Sequence, residues 1–197
     1  MRVAPYRTLA AISVALAVFV AVVFGVRAWS HATPAPAPGG AFSPLPVGAK
    51  APRMNLFDAG SAPVSTSFPA AGALTLVSFL ATQPDTAATA SRSQAVELVS
   101  LADQYAAKGV HVLIVDNTAL PVSLSVLENT VYDWQLGDVP LLADPGHVAS
   151  DRFGVPSSPT TLLIGRTGTV IARWNGYVLT AVVAQALTSA ISPGKPQ

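Results

Sequence analysis

The segment ALTLVSFLATQPDTAATASRSQAVELVSLADQYAAKGVHVLIVD, residues 73–116, decides the fold class. Its first eight residues, 73–80, form an apolar run of the length of a buried strand. Apolar side chains then recur at helical spacing through residues 93–109, which end in a Lys-Gly helix-stop signal. Residues 110–117 are a second buried strand. The segment therefore predicts a strand–helix–strand unit, whose crossover is right-handed in almost every known sheet.

The segments that follow continue this alternation. The predicted elements are, in order, a helix at 125–137, a short strand at 139–144, a short helix at 147–155, strands at 160–165 and 169–174, and a helix at 179–191. Arg166-Thr167-Gly168 between the last two strands is a hairpin signal. The order predicts one α/β domain with a central mixed sheet, which ends in an antiparallel hairpin and a covering helix.

The N-terminal segment predicts a membrane anchor. Residues 9–26 carry no charge and are long enough, as a helix, to cross a bilayer. Arg2 and Arg7 precede this run, so the positive-inside rule places the N-terminus in the cytoplasm and the remainder outside. The expected localisation is the cell membrane, as a single-pass protein with an extracytoplasmic C-terminal domain. The alternative is a signal peptide that is cleaved near residues 30–32, which would release the domain as a secreted protein.

The predicted organisation has five parts. They are a cytoplasmic N-terminus at 1–8, a transmembrane signal-anchor helix at 9–29, a Pro/Ala-rich linker at 30–53, the α/β domain at 54–192 and a tail at 193–197. The alternating Ala-Pro of the linker favours an extended spacer. A net charge of +1 gives no basic surface for nucleic acid. The 197 residues contain no cysteine, which excludes disulfides and thiolate chemistry within this chain.

Four segments resemble the redoxin branch of the thioredoxin-like proteins, which includes membrane-tethered thiol–disulfide oxidoreductases and their AhpC/TSA relatives. The segments are LVSFLAT (76–82), SRSQAVELVSLADQYAAKGVHVLIVD (91–116), LLADPGHVASDRFGVPSSPTTLLIGRTGTVIARWNG (141–176) and LTAVVAQAL (179–187). The resemblance implies a thioredoxin-like fold. It does not by itself imply the activity, because one fold supports many functions.

The same resemblance implies where a reactive C-x-x-C pair would stand. Aligned on the strand, the two cysteine positions are Pro84 and Ala87; aligned on the helix, they are Ala88 and Ser91. The alignments differ by four positions, so we expect about one additional helical turn between the strand and the helix. Both leave these positions as a degenerate active site without sulfur.

The resemblance also implies that Pro159 is cis and lies beside the degenerate site. In this fold the proline loop exposes backbone groups that can pair with an extended peptide. The candidate residues for binding a peptide or a cell-envelope protein are Thr82, Gln83, Asp85, Thr86, Ser158 and Pro159. The alternative is a closed surface, with a turn at Pro84-Asp85 and a helix cap at Thr86 or Thr89. A proline that only shapes the strand entry is equally compatible with the sequence.

Other chemistry has weak support in the sequence. Ser91 needs a base to act as a nucleophile, and neither His111 nor His147 is expected to form a triad with it. His111 is expected at the far end of its strand. Asp85, His147 and Asp151 are a weak candidate metal set, since aspartates in such positions commonly cap turns or helices. We expect no metal and no cofactor.

The sequence leaves three classes of function open. The first is a membrane-tethered binding or scaffold module without thiol redox activity of its own. The second is an oxidoreductase component of a thiol–disulfide or peroxide pathway that relies on a partner's cysteines. The third is a structural relic of such an enzyme. The absence of cysteine favours the first class.

Overall fold

A computed structural model describes residues 43–68, 72–83, 86–118 and 124–192. The predicted cytoplasmic segment, the anchor, residues 30–42 of the linker and the tail lie outside these ranges, as do Pro84 and Asp85. Within them, none of the helices combines the length and the apolar character that crossing a membrane requires.

The domain contains seven strands and four α-helices among its described residues. The strands are β1 (Met54–Phe57), β2 (Pro63–Thr66), β3 (Leu74–Leu80), β4 (Val110–Asp116), β5 (Leu141–Ala143), β6 (Thr160–Ile164) and β7 (Val170–Asn175). The helices are α1 (Thr86–Tyr105), α2 (Leu124–Asp133), α3 (Val148–Phe153) and α4 (Thr180–Ile191). Short 3₁₀ turns follow α1 and precede α3.

All seven strands form one mixed sheet in the order β2-β1-β5-β4-β3-β6-β7. Strands β3, β4 and β5 are parallel, and β4 pairs with β3 along the full length of both strands. Strand β6 is antiparallel to β3, with Phe79 opposite Thr160, and β7 forms the predicted hairpin with β6. The predicted thioredoxin-like sheet is therefore present, with β1 and β2 added at one edge.

Two apolar clusters cover the two faces of the sheet, and β3 contributes to both. Leu74, Leu76 and Leu80 join the cluster beneath α1, α2 and α4. Val77 and Phe79 point to the opposite face, where they pack with Phe153 of α3 and with β1. This alternation explains why the strand reads as a continuous apolar run, since both of its faces are buried.

Three features differ from the sequence predictions. Helix α1 begins at Thr86, several residues before its amphipathic part at 93–109. Strands β1 and β2 were not predicted, because four-residue strands carry little periodic signal. Residues 45–51 of the predicted linker bond to the last residue of α3, to the β6–β7 turn and to β7, so the folded unit extends N-terminal to Met54.

Gly154 joins this N-terminal segment to the sheet. Its φ of +59° lies in the left-handed region, and a Cβ atom there would stand 2.3 Å from the Ser43 carbonyl oxygen. The Arg173 guanidinium donates to the carbonyls of Phe153 and Gly154 at 2.9 and 2.6 Å. The Leu45 N–H also donates to the Phe153 carbonyl. A side chain at residue 154 would separate these contacts.

Candidate functional site

Several loops converge at one edge of the sheet, at the carboxyl ends of β3, β4 and β5. Because β6 runs antiparallel to β3, the loop that enters β6 reaches the same edge. This topology gathers residues 81–83, 117–118, 144–147 and 156–159, which are distant in the sequence. In open α/β sheets, ligands commonly bind outside the carboxyl ends of the strands.

A small cavity of about 290 Å³ opens at this edge. Its lining residues are Ala81, Ala87, Asn117, His147, Pro156, Ser157 and Ser158. Three of these residues are apolar, two alanines and a proline, and four are polar residues from three loops. The lining therefore combines small apolar residues with groups that form directed hydrogen bonds.

A chain of three polar side chains crosses the cavity. The His147 Nδ1 atom lies 2.9 Å from the Asn117 Oδ1 atom. The Asn117 Nδ2 group donates to the Ser158 Oγ atom at 3.3 Å. The Asn117 backbone N–H donates to the Leu80 carbonyl at 2.7 Å, which fixes the residue at the end of the sheet. Asn117 thus joins the β5 turn to the loop that contains Pro159.

A buried carboxylate lies behind the cavity and holds the residue after β3. The Asp116 Oδ1 atom accepts hydrogen bonds from the Thr82 hydroxyl at 2.9 Å and from the Thr118 hydroxyl at 2.5 Å. Burial raises the pKa of Asp116, and the bonds from Thr118 and Thr82 oppose that rise. Thr82 was predicted to contact a ligand, but it bonds to this carboxylate and the described residues that line the cavity do not include it.

The two alignments of the degenerate pair fall in different surroundings. Ala87, from the strand alignment, is in the first turn of α1 and lines the cavity. Ser91, from the helix alignment, is fully buried five positions after the start of α1, and its Oγ atom accepts the Ala81 N–H at 3.0 Å. Ala88 lies between them, half-buried. The additional turn is therefore part of α1, and the strand alignment matches the cavity.

The Ser158–Pro159 peptide bond is cis, as the resemblance implied. The Pro159 carbonyl accepts the Gly176 N–H at 2.7 Å, and the Thr160 hydroxyl donates to the Ser157 carbonyl. Among the described residues, the Ser158 backbone N–H and C=O have no hydrogen-bond partner. Ser158 is half-exposed, so these groups are open to pairing with another chain.

The remaining predicted contact residues do not line the cavity in the described part of the chain, or lie outside the described residues. Gln83 follows β3 and is half-buried, but it does not line the cavity. Thr86 is the first residue of α1. Asp85 lies outside the described residues, so its part in the site stays a prediction.

Sequence reasoning missed three residues of the site, namely Asp116, Asn117 and His147. Asp116 and Asn117 had been interpreted only as the end of a strand, and His147 had been considered only as a catalytic base or metal ligand with weak support. The usable signal was topological, since parallel strands bring all three to the same edge. Polar residues directly after buried parallel strands therefore indicate the position of this site.

Among the described residues, the others that were considered for chemistry do not assemble a second site. Ser91 is fully buried, and its Oγ atom accepts the Ala81 N–H. No group of three or more histidine, aspartate or glutamate side chains in the described part of the chain could hold a metal ion. His111 lies near the start of β4, where it lines a separate groove of about 630 Å³ at the opposite end of the sheet.

Solved structures share this architecture at low sequence identity. A protein from Chlorobium tepidum assigned as the thiol:disulfide interchange protein DsbE is 22% identical, with a TM-score of 0.64 over 75% of this chain and 99% of that chain. The thioredoxin domain of a thiol-disulfide oxidoreductase from Bacteroides vulgatus is 16% identical, with a TM-score of 0.59 over 72% and 98%. StoA from Bacillus subtilis is 14% identical, with a TM-score of 0.55 over 68% and 96%.

These similarities show the fold. A comparison with curated protein sequences gives no match. The sequence profile of the AhpC/TSA family matches residues 47–173, which include β1 to β6 and most of β7. The chain therefore belongs to the AhpC/TSA family and has a thioredoxin-like fold, without any of the cysteines on which thiol chemistry depends.

Proposed function

We propose that this protein is a binding module that captures an extended peptide segment of a partner at the cis-proline edge and has no thiol redox activity of its own. One observation carries the proposal. Within the described part of the chain, nothing pairs with the Ser158 backbone, which lies beside a cavity where Ala87 occupies a position of the redox pair. This supports an edge that could hold a peptide, whereas the sulfur atom that would react with a disulfide is missing from the sequence.

Backbone pairing is the proposed source of affinity. An extended peptide can bond to one exposed N–H and C=O pair as an added strand does, while nearby pockets select its side chains. The Pro159 carbonyl already accepts the Gly176 N–H. The proposed pairing residue is therefore the one before it, Ser158. Gln83 and the start of α1 border the same edge and are proposed to contact the peptide on its other side.

Thiol–disulfide exchange requires a thiolate to attack and a second thiol to resolve the mixed disulfide. This chain provides neither. Ser91 is not a substitute, because a hydroxyl does not cycle between reduced and oxidised states and this one is buried. A role in a redox pathway would therefore consist of holding a partner that has its own cysteines.

The proposed location is the outer side of a membrane. The uncharged run at 9–26 and the arginines before it support an anchor, and the Pro/Ala-rich segment supports a spacer that separates the domain from the bilayer. The partner would then be a cell-envelope protein. Alkaline extraction of membranes tests the anchor, since an integral protein stays in the pellet and a cleaved, secreted form is released.

Peptide capture by the full-length chain in detergent tests the binding function. Phage-displayed random heptapeptides should be enriched by the wild type and lost with Ala87→Leu, which fills the cavity. The matched control is Ala181→Leu on the exposed surface of α4, which should retain capture. Capture that is unchanged in Ala87→Leu would place binding elsewhere and contradict the proposal.

Redox assays test the other half of the proposal. The full chain should neither reduce insulin disulfides nor consume peroxide with a thiol reductant. Catalytic turnover in either assay, proportional to the concentration of this protein, would overturn the claim that it lacks redox activity.

A further inference from the structure

The polar chain across the cavity has a fixed direction of hydrogen bonding. The Asn117 Oδ1 atom is a carbonyl oxygen and only accepts, so the His147 Nδ1 atom must carry the hydrogen between them. A neutral imidazole with its hydrogen on Nδ1 has a lone pair on Nε2. The Nε2 atom of His147, a residue that lines the cavity, is therefore an acceptor.

At the Ser158 end of these three side chains the remaining group is a donor, whereas at the His147 end it is an acceptor. Asn117 Nδ2 donates to the Ser158 Oγ atom, which uses one of the lone pairs of that hydroxyl. The Ser158 hydrogen is consequently free to be donated to a ligand. Among the described residues, no other hydrogen bond to this hydroxyl is present. One amide thus sets an acceptor at His147 and a donor at Ser158, two residues that line the cavity.

The remainder of the lining limits what can enter. The volume of about 290 Å³ lies at the lower limit of small-molecule pockets and suits one side chain of a bound chain. Of the described lining residues, none is a lysine or arginine that would pair with a carboxylate, and none is an aspartate or glutamate that would pair with an ammonium group. A charged group would lose its hydration without gaining a counter-ion from these described lining residues, which is costly.

We infer that the cavity selects one neutral polar side chain of the bound peptide, a hydroxyl or a carboxamide, through Ser158 and His147. Such a group accepts the Ser158 hydrogen and donates to the His147 Nε2 atom at the same time. Serine, threonine, asparagine and glutamine have this pair of functions, whereas aliphatic side chains leave both groups of the site unsatisfied. The inference rests on the proposed function, since it specifies the sequence preference of that peptide-binding edge.

Asn117→Asp is a near-isosteric substitution that reverses the direction of the hydrogen bond between residue 117 and Ser158. A carboxylate only accepts, so the Ser158 hydroxyl would turn its hydrogen toward residue 117 and present lone pairs to the ligand. The cavity would then have acceptors on both sides and a negative charge between them. Its preference should change to lysine and arginine side chains, a result that a merely structural role for Asn117 does not predict.

Selection of phage-displayed random heptapeptides by the full-length chain in detergent, at about pH 8 where imidazole is ordinarily neutral, tests the inference. The wild type should enrich peptides that share Ser, Thr, Asn or Gln at one position, and Asn117→Asp should enrich Lys or Arg there. The matched control is Asn55→Asp on the exposed side of β1, where the asparagine also accepts from a serine, Ser65. In this control pair the direction is the reverse of that at residue 117, since Ser65 donates to Asn55 whereas Asn117 donates to Ser158. The control should select as the wild type does.

Ser158→Ala supports the same test without a change of charge. It removes the hydroxyl and keeps the backbone groups, so a selected serine peptide should bind about 10-fold more weakly than to wild type, and an alanine-substituted peptide should bind equally to both. Captured peptides with no shared side chain, or an unchanged preference in folded Asn117→Asp, would overturn this inference and leave the binding edge intact. No capture by wild type above a protein-free control would overturn the proposed function and this inference with it.

Discussion

Strand β3 and the residues directly after it are stabilised in different ways. All seven residues of β3 are buried, and five of them pack apolar side chains on the two faces of the sheet. Thr82, two positions after the strand, is instead held by polar bonds to Asp116 and Thr118, which are 34 and 36 positions away. The interior thus depends on contacts that tolerate approximate geometry, whereas the edge depends on a few directed bonds between distant loops.

The largest effect should come from breaking the interior. Phe153 is fully buried, and its ring packs against those of Phe79 and Phe68 at centroid distances of 5.4 and 6.1 Å. Phe153→Ala should lower the free energy of unfolding by about 3–5 kcal/mol, because it leaves a cavity on that face of the sheet. Chemical denaturation measures this change. A loss below about 1 kcal/mol would show that the α3 face contributes little to stability.

A second prediction separates the edge from the interior by chemical reactivity. A thiol introduced by Ala87→Cys should react with an aromatic disulfide reagent at the rate of an accessible cysteine. The thiol of Ser91→Cys should react at least about 100-fold more slowly, because the reagent can reach this buried position only when α1 opens locally. Equal rates for the two folded variants would mean that the site is not where the strand alignment places it.

Ser91→Ala tests how the edge is attached to the interior. The substitution removes the acceptor of the Ala81 N–H and leaves a buried donor unsatisfied. We expect a loss of about 1–3 kcal/mol in the free energy of unfolding. The matched control is Ser93→Ala, at an exposed position two residues further along α1, which should change stability by less than about 0.5 kcal/mol.

The smallest effect concerns the pH dependence of Asp116. Its pKa is raised in the folded state, so the folded protein binds more protons than the unfolded chain once the pH exceeds the ordinary value of 3.8. Its contribution to stability is therefore present below that value and is lost as the pH rises through the raised folded pKa.

Asp116→Asn removes this titration. The stability of the variant relative to wild type should increase as the pH rises through that window, measured by denaturation from about pH 3.5 to about pH 8. A relative stability that is constant with pH, or that decreases, would contradict the raised pKa.

The sequence was sufficient for the thioredoxin-like part of the fold, missed β1 and β2, and was only partly sufficient for the site. Apolar periodicity and the order of segments predicted β3 to β7 and the four helices, because each of these elements has a local signal. The cavity had no comparable signal. Asn117 bonds to His147 and Ser158 across 30 and 41 positions, so its role is visible only when the loops are in place.

The start of α1 likewise could not be predicted from local sequence patterns. The amphipathic pattern begins near residue 93, but the helix extends back to Thr86 through small residues that have no apolar period. Those residues absorb the four-position difference between the two alignments. A comparison of motifs detects the insertion, but only the folded structure shows that Ala87 lines the cavity while Ser91 is buried.

Hydrogen–deuterium exchange of the full-length chain, with and without a peptide enriched by the wild type, tests the central claim most directly. The account predicts slower exchange of the Ser157 and Ser158 amides when the peptide is bound, because the Ser158 N–H becomes a donor to the added chain. Exchange in residues 135–139, at the opposite end of the sheet, should not change. Protection confined to that opposite end, with none at Ser157 and Ser158, would contradict the assignment of the cis-proline edge as the binding site.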